Sequence, residues 1–87
     1  MNINIPEILS KMCYTELVYQ RINKKLKTEL SKLEIEKMLF DILNETQEKY
    51  FKKIGKNIYV NNSDNNIKIT INSNTFRIIT VDKIVKK

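Results

Sequence analysis

The hydrophobic period of this chain changes once, near residue 45, and that change limits the fold more than any other feature. Before it, apolar residues recur at spacings of three and four; after it, they alternate. A chain that keeps its helical period in one half and its alternating period in the other reads as α+β, not as repeated βα units. At 87 residues, with 41% hydrophobic and 30% charged, it is sized for one small domain and too apolar for a disordered tail. The organisation expected is a single domain over residues 1–87, with a helical part at 6–54, a β-meander at 56–83 and a basic tail at 84–87.

The helical half has clear punctuation. Pro6 suits a first helical turn, with Asn4 or Ile5 just before it. Ile8, Leu9 and Met12 begin an apolar stripe that continues through Tyr14, Leu17, Val18, Arg21, Ile22, Lys25 and Leu26. Thr15 offers a cap for a separate helix, so residues 6–26 fit one helix or two. Ser31-Lys32-Leu33-Glu34 is a capping box, and Leu30 and Ile35 stand where a hydrophobic staple requires them. Ile35, Met38, Leu39, Ile42 and Leu43 form the stripe of that next helix, ending near Asn44. The stretch from Thr46 through Phe51 reads as one short helical turn that closes near Gly55.

The second half reads as three strands. Asn57 to Asn61 is the first, followed by a turn rich in Asn, Ser and Asp up to Asn66. Ile67 to Asn72 alternates strictly, with three Ile on one face and Lys68, Thr70 and Asn72 on the other. Asn72-Ser73-Asn74 is a tight turn, and Thr75 to Val81 is the last strand. Its alternation places Phe76, Ile78 and Thr80 on one face and Arg77, Ile79 and Val81 on the other. Lys83 onward reads as a frayed basic tail. The fold class expected is therefore α+β: two or three N-terminal helices packed on a C-terminal three-stranded antiparallel meander.

Composition narrows the chemistry. The chain has no His, the commonest general acid/base and metal ligand. Its single cysteine, Cys13, cannot form an internal disulfide or a zinc cage, and reads as a small buried hydrophobe. Its single glycine excludes Gly-rich phosphate loops. The carboxylates Glu34, Glu36, Asp41, Glu45 and Glu48 read as wet helix faces. Asp64, Asn65 and Asn66 lack the Gly and closing Glu of a calcium loop. The expectation is a protein that is not an enzyme, with no catalytic residue, no metal and no cofactor. No run of about 20 apolar residues suggests a membrane span, and the start lacks the pattern of a signal peptide. With one unpaired thiol, a cytoplasmic location is expected.

The net charge is 16 − 10 = +6, and it is unevenly placed. Residues 1–44 hold 7 basic and 6 acidic side chains, whereas residues 45–87 hold 9 and 4. The excess lies in the sheet half. Lysine outnumbers arginine 14 to 2, and the many Lys, Ile and Asn codons are AT-rich, so drift accounts for part of the lysine. Arginine is less easily explained that way, and its planar fork meets carboxylate or phosphate in a manner lysine cannot copy. The partner-binding residues expected are Lys52, Lys53, Lys56, Tyr59, Lys68 and Arg77. Tyr14, Phe51 and Phe76 read as core; Tyr19 and Phe40 lie off the main helical stripes.

Two stretches, Cys13 to Ile22 (CYTELVYQRI) and Ile69 to Lys83 (ITINSNTFRIITVDK), resemble an uncharacterised family of small bacterial and archaeal proteins, a domain of unknown function. The resemblance runs from about Met12 to Lys83, with Lys56-Asn57-Ile58-Tyr59-Val60 between. It implies a self-contained domain and brings no catalytic residue with it. Size and composition also give the chain a general likeness to anti-defence proteins of phages and plasmids, including anti-CRISPR inhibitors, without a shared motif.

Two functions are therefore expected. The first is a small binding protein that docks as an inhibitor or regulator on a nucleic-acid-handling protein, such as a CRISPR nuclease, and blocks its assembly with nucleic acid. The second is a direct nucleic-acid-binding module that uses a basic sheet face. The partner is a larger protein, or a nucleoprotein, or nucleic acid itself; no membrane is involved, and the chain is a monomer or a homodimer.

Overall fold

The computed structural model describes residues 3–84. Three helices, α1 (Ile5–Lys11), α2 (Glu16–Leu26) and α3 (Lys32–Glu45), precede a 3-10 turn at Glu48–Tyr50. Four strands follow: β1 (Phe51–Ile54), β2 (Asn57–Asn62), β3 (Ile67–Asn72) and β4 (Ile78–Lys83). They form one antiparallel sheet in the order β1-β2-β3-β4. The class is α+β, as the change of period requires.

The helix starts follow local chemistry. The Asn4 side chain accepts from the Glu7 amide at 3.0 Å, with Pro6 in the first turn. At α3 the capping box is complete: Glu34 N donates to Ser31 Oγ, and Ser31 N donates to Glu34 Oε1 at 2.9 Å. Residues 6–26 divide into two helices because Cys13 leaves the helical path. Its amide donates to Phe76 O, and its carbonyl accepts from Ile78 N, forming a parallel bridge with Arg77 at the start of β4. Those bonds hold Cys13 in an exposed position, its Sγ 3.7 Å from the Thr75 carbonyl, so it is not the buried hydrophobe expected.

α2 ends at Lys27 in the left-handed conformation (φ 57°), with the Thr28 amide bonded to Asn23 O. Asn23 then organises the connection to α3: its Oδ1 accepts from Leu30 N and Thr28 Oγ1, and its Nδ2 donates to Leu30 O.

The sheet has four strands where three are expected. Phe51 to Ile54 is a strand and not the end of a helical turn. Only Phe51 of its four residues is buried, so the segment carries no alternation to read. The two-residue connection Gly55-Lys56 makes the strand possible. Gly55 has φ 60° and Lys56 does not share the positive value, the φ pattern of a glycine-led hairpin turn.

The last strand is also shifted. Asn72 Oδ1 accepts from the amides of Asn74 and Thr75, and Phe76 adopts φ 59°. The connection thus runs to Arg77, and β4 begins at Ile78. An irregularity in pairing follows, Thr70 facing Thr80 while Ile71 faces Ile78, which leaves Ile79 as the extra residue of a bulge. Ile78 and Val81 consequently both point to the core, contrary to the simple alternation. Lys83 is paired with Ile67, and Ile84 N donates to Asn66 O at 2.8 Å, so the chain is still ordered where a frayed tail is expected. The remainder of that tail, 85–87, lies outside the described residues.

One core joins helices and sheet. Ile8, Val18, Ile22, Leu26, Ile35, Leu39, Ile42 and Leu43 face Phe51, Ile58, Val60, Ile67, Ile69, Ile71, Ile78 and Val81. α2 packs against β4, and α1 against α3. In α2 the buried line is Val18, Ile22 and Leu26, while Leu17, expected in the stripe, is 69% exposed. A buried polar link ties α3 to the β2–β3 turn: Asn62 Nδ2 donates to Thr46 Oγ1 at 2.8 Å, and Thr46 Oγ1 donates to Ile42 O.

Candidate functional site

Strand register sorts the expected binding residues. Residues directly opposite in an antiparallel pair share a face. Lys52 faces Tyr59, and Tyr59 faces Thr70, whose strand neighbour two places back is Lys68. Lys52, Tyr59 and Lys68 therefore stand together on the sheet face away from the helices. The Lys68 ammonium lies 5.3 Å from the centre of the Tyr59 ring, a cation–π contact. The Tyr59 hydroxyl accepts from Asn57 Nδ2 at 3.3 Å. Asp82 stands opposite Lys68 but is bonded to Lys25 at 3.0 Å.

The other three residues lie elsewhere. Lys53 faces Ile58 and so belongs to the helix side of the sheet, exposed beyond the helices. Lys56 sits in the β1–β2 turn, its carbonyl accepting from the Ser73 amide and hydroxyl at 2.8 and 2.9 Å. That contact brings the two hairpin turns together at one end of the sheet. Arg77 is at the β4 side, three strands from Lys52, or roughly 14 Å by strand spacing. Gly55 turns the chain between Lys53 and Lys56, and Lys53 stands on the face of β1 opposite Lys52.

Arg77 has a different companion. A groove between the start of α2 and the start of β4 is lined by Thr15, Leu17, Arg21, Arg77 and Ile79. Both arginines of the chain are in it, 56 residues apart in sequence. Arg21 Nη1 donates to the carbonyl of Ile79, the bulge residue, at 3.4 Å. Among the described residues neither arginine makes an ion pair with a carboxylate. The sequence pattern puts Arg21 within the apolar stripe of α2 and marks only Arg77 as a binding residue, although arginine is as scarce beside 14 lysines at one position as at the other.

A third cluster joins the helices. Tyr14 and Tyr19 stack with ring centres 5.3 Å apart. Tyr19 donates to Glu36 Oε2 at 2.7 Å, and the Lys32 ammonium sits 5.4 Å over its ring while pairing with Glu16. Partial burial, then the hydrogen bond to Glu36 and the charge of that carboxylate, push the Tyr19 hydroxyl up to about 12. Burial raises Tyr14 further, and its hydroxyl is enclosed without a partner among the described residues. Tyr19 is thus a structural strut between α2 and α3. Phe40 is 43% exposed on α3. Phe51 is core, while Tyr14 and Phe76 are partly buried against it.

Fold and surface together define a small α+β domain, helices on one side of an antiparallel meander, with a cationic patch on the opposite face. The chain belongs to the family described as "Protein of unknown function (DUF3781)", whose model matches residues 6–82. The match extends the resemblance seen from Met12 toward the N-terminus, through α1. No curated protein and no solved structure matches the chain. The general likeness to anti-defence proteins has no support in these comparisons. Among the described residues no group of His, Cys, Asp or Glu could hold a metal ion. Among the described residues no helix is long and apolar enough to cross a membrane.

Proposed function

We propose that this protein is a non-enzymatic binding protein that docks through its outer sheet face on an acidic surface of a larger protein and regulates or inhibits it. The observation that carries the reading is the contiguity of Lys52, Tyr59 and Lys68 on one exposed face. An aromatic flanked by cations suits a contact with carboxylates, where Tyr supplies area and the complementary charge supplies orientation. A nucleic-acid-handling protein is the partner class we propose, because a surface that meets its carboxylates also meets the phosphates held beside them.

Direct nucleic-acid binding is the second reading, favoured by the charge excess of residues 45–87. The Tyr59 ring already carries the Lys68 ammonium, which a stacking base would have to displace. That contact favours protein docking of the two.

The test is affinity capture from nuclease-treated and untreated lysate, with the parent chain and a Lys52→Ala/Tyr59→Ala/Lys68→Ala variant as baits. Recovery of a nucleic-acid-handling protein after nuclease treatment, lost with the variant, supports docking. Recovery of nucleic acid alone, with affinity falling steeply as salt rises, replaces it with the second reading. If both baits recover the same proteins, the sheet face is not the site.

A further inference from the structure

The groove that holds Arg21 and Arg77 is a surface separate from Lys52, Tyr59 and Lys68, and its chemistry is more specific. Arg21 and Lys24 lie on α2 with Leu17 and Gln20, in a depression that continues the groove through Leu17 and Arg21. Leu17 is 69% exposed and lines both depressions. Two nearby carboxylates are already occupied: Glu16 pairs with Lys32, and Asp82 pairs with Lys25. The cations that remain are two guanidinium forks and the Lys24 ammonium, with no carboxylate partner among the described residues.

The fold builds this arrangement deliberately in one sense: each part is held by backbone structure. Arg77 is fixed by the bridge between its segment and Cys13. Arg21 is turned toward β4 by its contact with the bulge carbonyl of Ile79. Leu17 is displaced from the core because Val18, Ile22 and Leu26 take the inward line. An exposed leucine in the same groove as two arginines is poorly suited to a bare phosphate backbone, which offers nothing apolar to Leu17. It suits a peptide that alternates carboxylates with apolar side chains.

We propose that this groove binds an acidic, amphipathic peptide segment of a partner protein, with carboxylates forked by Arg21 and Arg77 and an apolar side chain seated on Leu17. Bidentate guanidinium–carboxylate pairs fix the segment's position, and Leu17 rejects acidic segments that lack an apolar residue. The proposal does not depend on the outer sheet face.

The test is fluorescence anisotropy with a short labelled peptide of alternating Glu and Leu pairs, against the same peptide with Ser for Leu and against a thymidine oligonucleotide. The parent chain is expected to bind the Glu/Leu peptide at least about tenfold more tightly than either control, about 1.4 kcal/mol. Arg21→Ala/Arg77→Ala and, separately, Leu17→Ser are expected to weaken that binding by a similar factor, whereas Lys37→Ala, at an exposed lysine of α3, leaves it unchanged. Leu17 is exposed, so Leu17→Ser tests the groove even if the double arginine variant fails to fold. Absence of binding by the parent overturns the proposal, as does equal binding of the Glu/Ser peptide. Preference for the oligonucleotide assigns the arginines to phosphate instead. A doubling of mass in light scattering with the peptide excluded from the groove would mean that a second copy of the chain covers it.

Discussion

β1 and β3 belong to the same sheet and are held by different forces. β3 lies between β2 and β4, and Ile67, Ile69 and Ile71 are all buried, as is Thr70 on its other face. β1 is at the edge of the sheet, pairs only with β2, and buries Phe51 alone; Ile54 is 56% exposed. Hydrophobic burial fixes β3, whereas β1 depends on Phe51 and on the geometry of the Gly55-Lys56 turn. The difference teaches that the two lysines of the outer sheet face rest on unequal foundations. Lys68 stands on a strand that opens only with the whole domain. Lys52 stands on one that can open locally.

Substitutions can break or sharpen that contrast. Ile69→Ala is expected to have the largest effect, about 2–5 kcal/mol lost, because Ile69 is fully enclosed. Urea denaturation measures it, and a loss below about 1 kcal/mol would mean that the centre of the sheet is no better packed than its edge. Gly55→Ala is expected to cost about 1–2 kcal/mol. A Cβ there meets no neighbouring atom within 4 Å, so the cost is the backbone strain of φ 60° alone. Amide exchange should accelerate in β1 far more than in β3 in that variant; uniform acceleration would show that the edge hairpin opens only with the core.

The helical half supplies the same contrast between local and tertiary bonds. Ser31→Ala should cost about 1 kcal/mol by removing the cap oxygen of α3, read as a lower urea midpoint. The Ser31 backbone and side-chain hydrogen bonds hold the Glu34 carboxyl below its ordinary range. The stability it contributes is present above the ordinary carboxylate pKa and lost as pH falls through the lowered one. In Ser31→Ala that acid-side loss should shrink.

The Tyr19–Glu36 bond is tertiary, and its signature lies at high pH. A hydroxyl raised from 10.0 to about 12 in the folded chain contributes stability that is complete below pH 10 and lost as pH rises toward 12. Tyr19→Phe should lose less stability between those limits than the parent. Equal alkaline loss in the two chains would show that Tyr19 does not carry it. The smallest effect is expected at Lys53, exposed on β1, where Lys53→Ala should change stability by no more than about 0.5 kcal/mol. A larger loss would mean that the edge strand is anchored by more than Phe51.

The candidate surfaces were partly legible. Alternation in Ile67 to Asn72 placed Lys68 outward, and the scarcity of arginine marked Arg77. Its company was not legible. Arg21 and Arg77 meet only because Cys13 bridges to Arg77 and α2 packs along β4. Lys52 and Lys53 adjoin in sequence, yet strand geometry sends them to opposite faces, and a helical turn read over the same segment would not.

Local chemistry in the sequence determined the α+β class, the capping box of α3, the start of α1 and the span of β3. Each depends on a period or a side-chain bond that a few neighbouring residues complete among themselves. The tertiary structure alone decided that residues 6–26 break at Cys13, that Phe51 to Ile54 is a strand, and that a bulge at Ile79 turns both Ile78 and Val81 inward. Those choices are made by partners far away in the chain. The Cys13 backbone bonds are completed by Phe76 and Ile78, and β1 is paired only when Gly55 folds it onto β2. A short segment with one buried residue has no period of its own, so its conformation is set by the surface it joins.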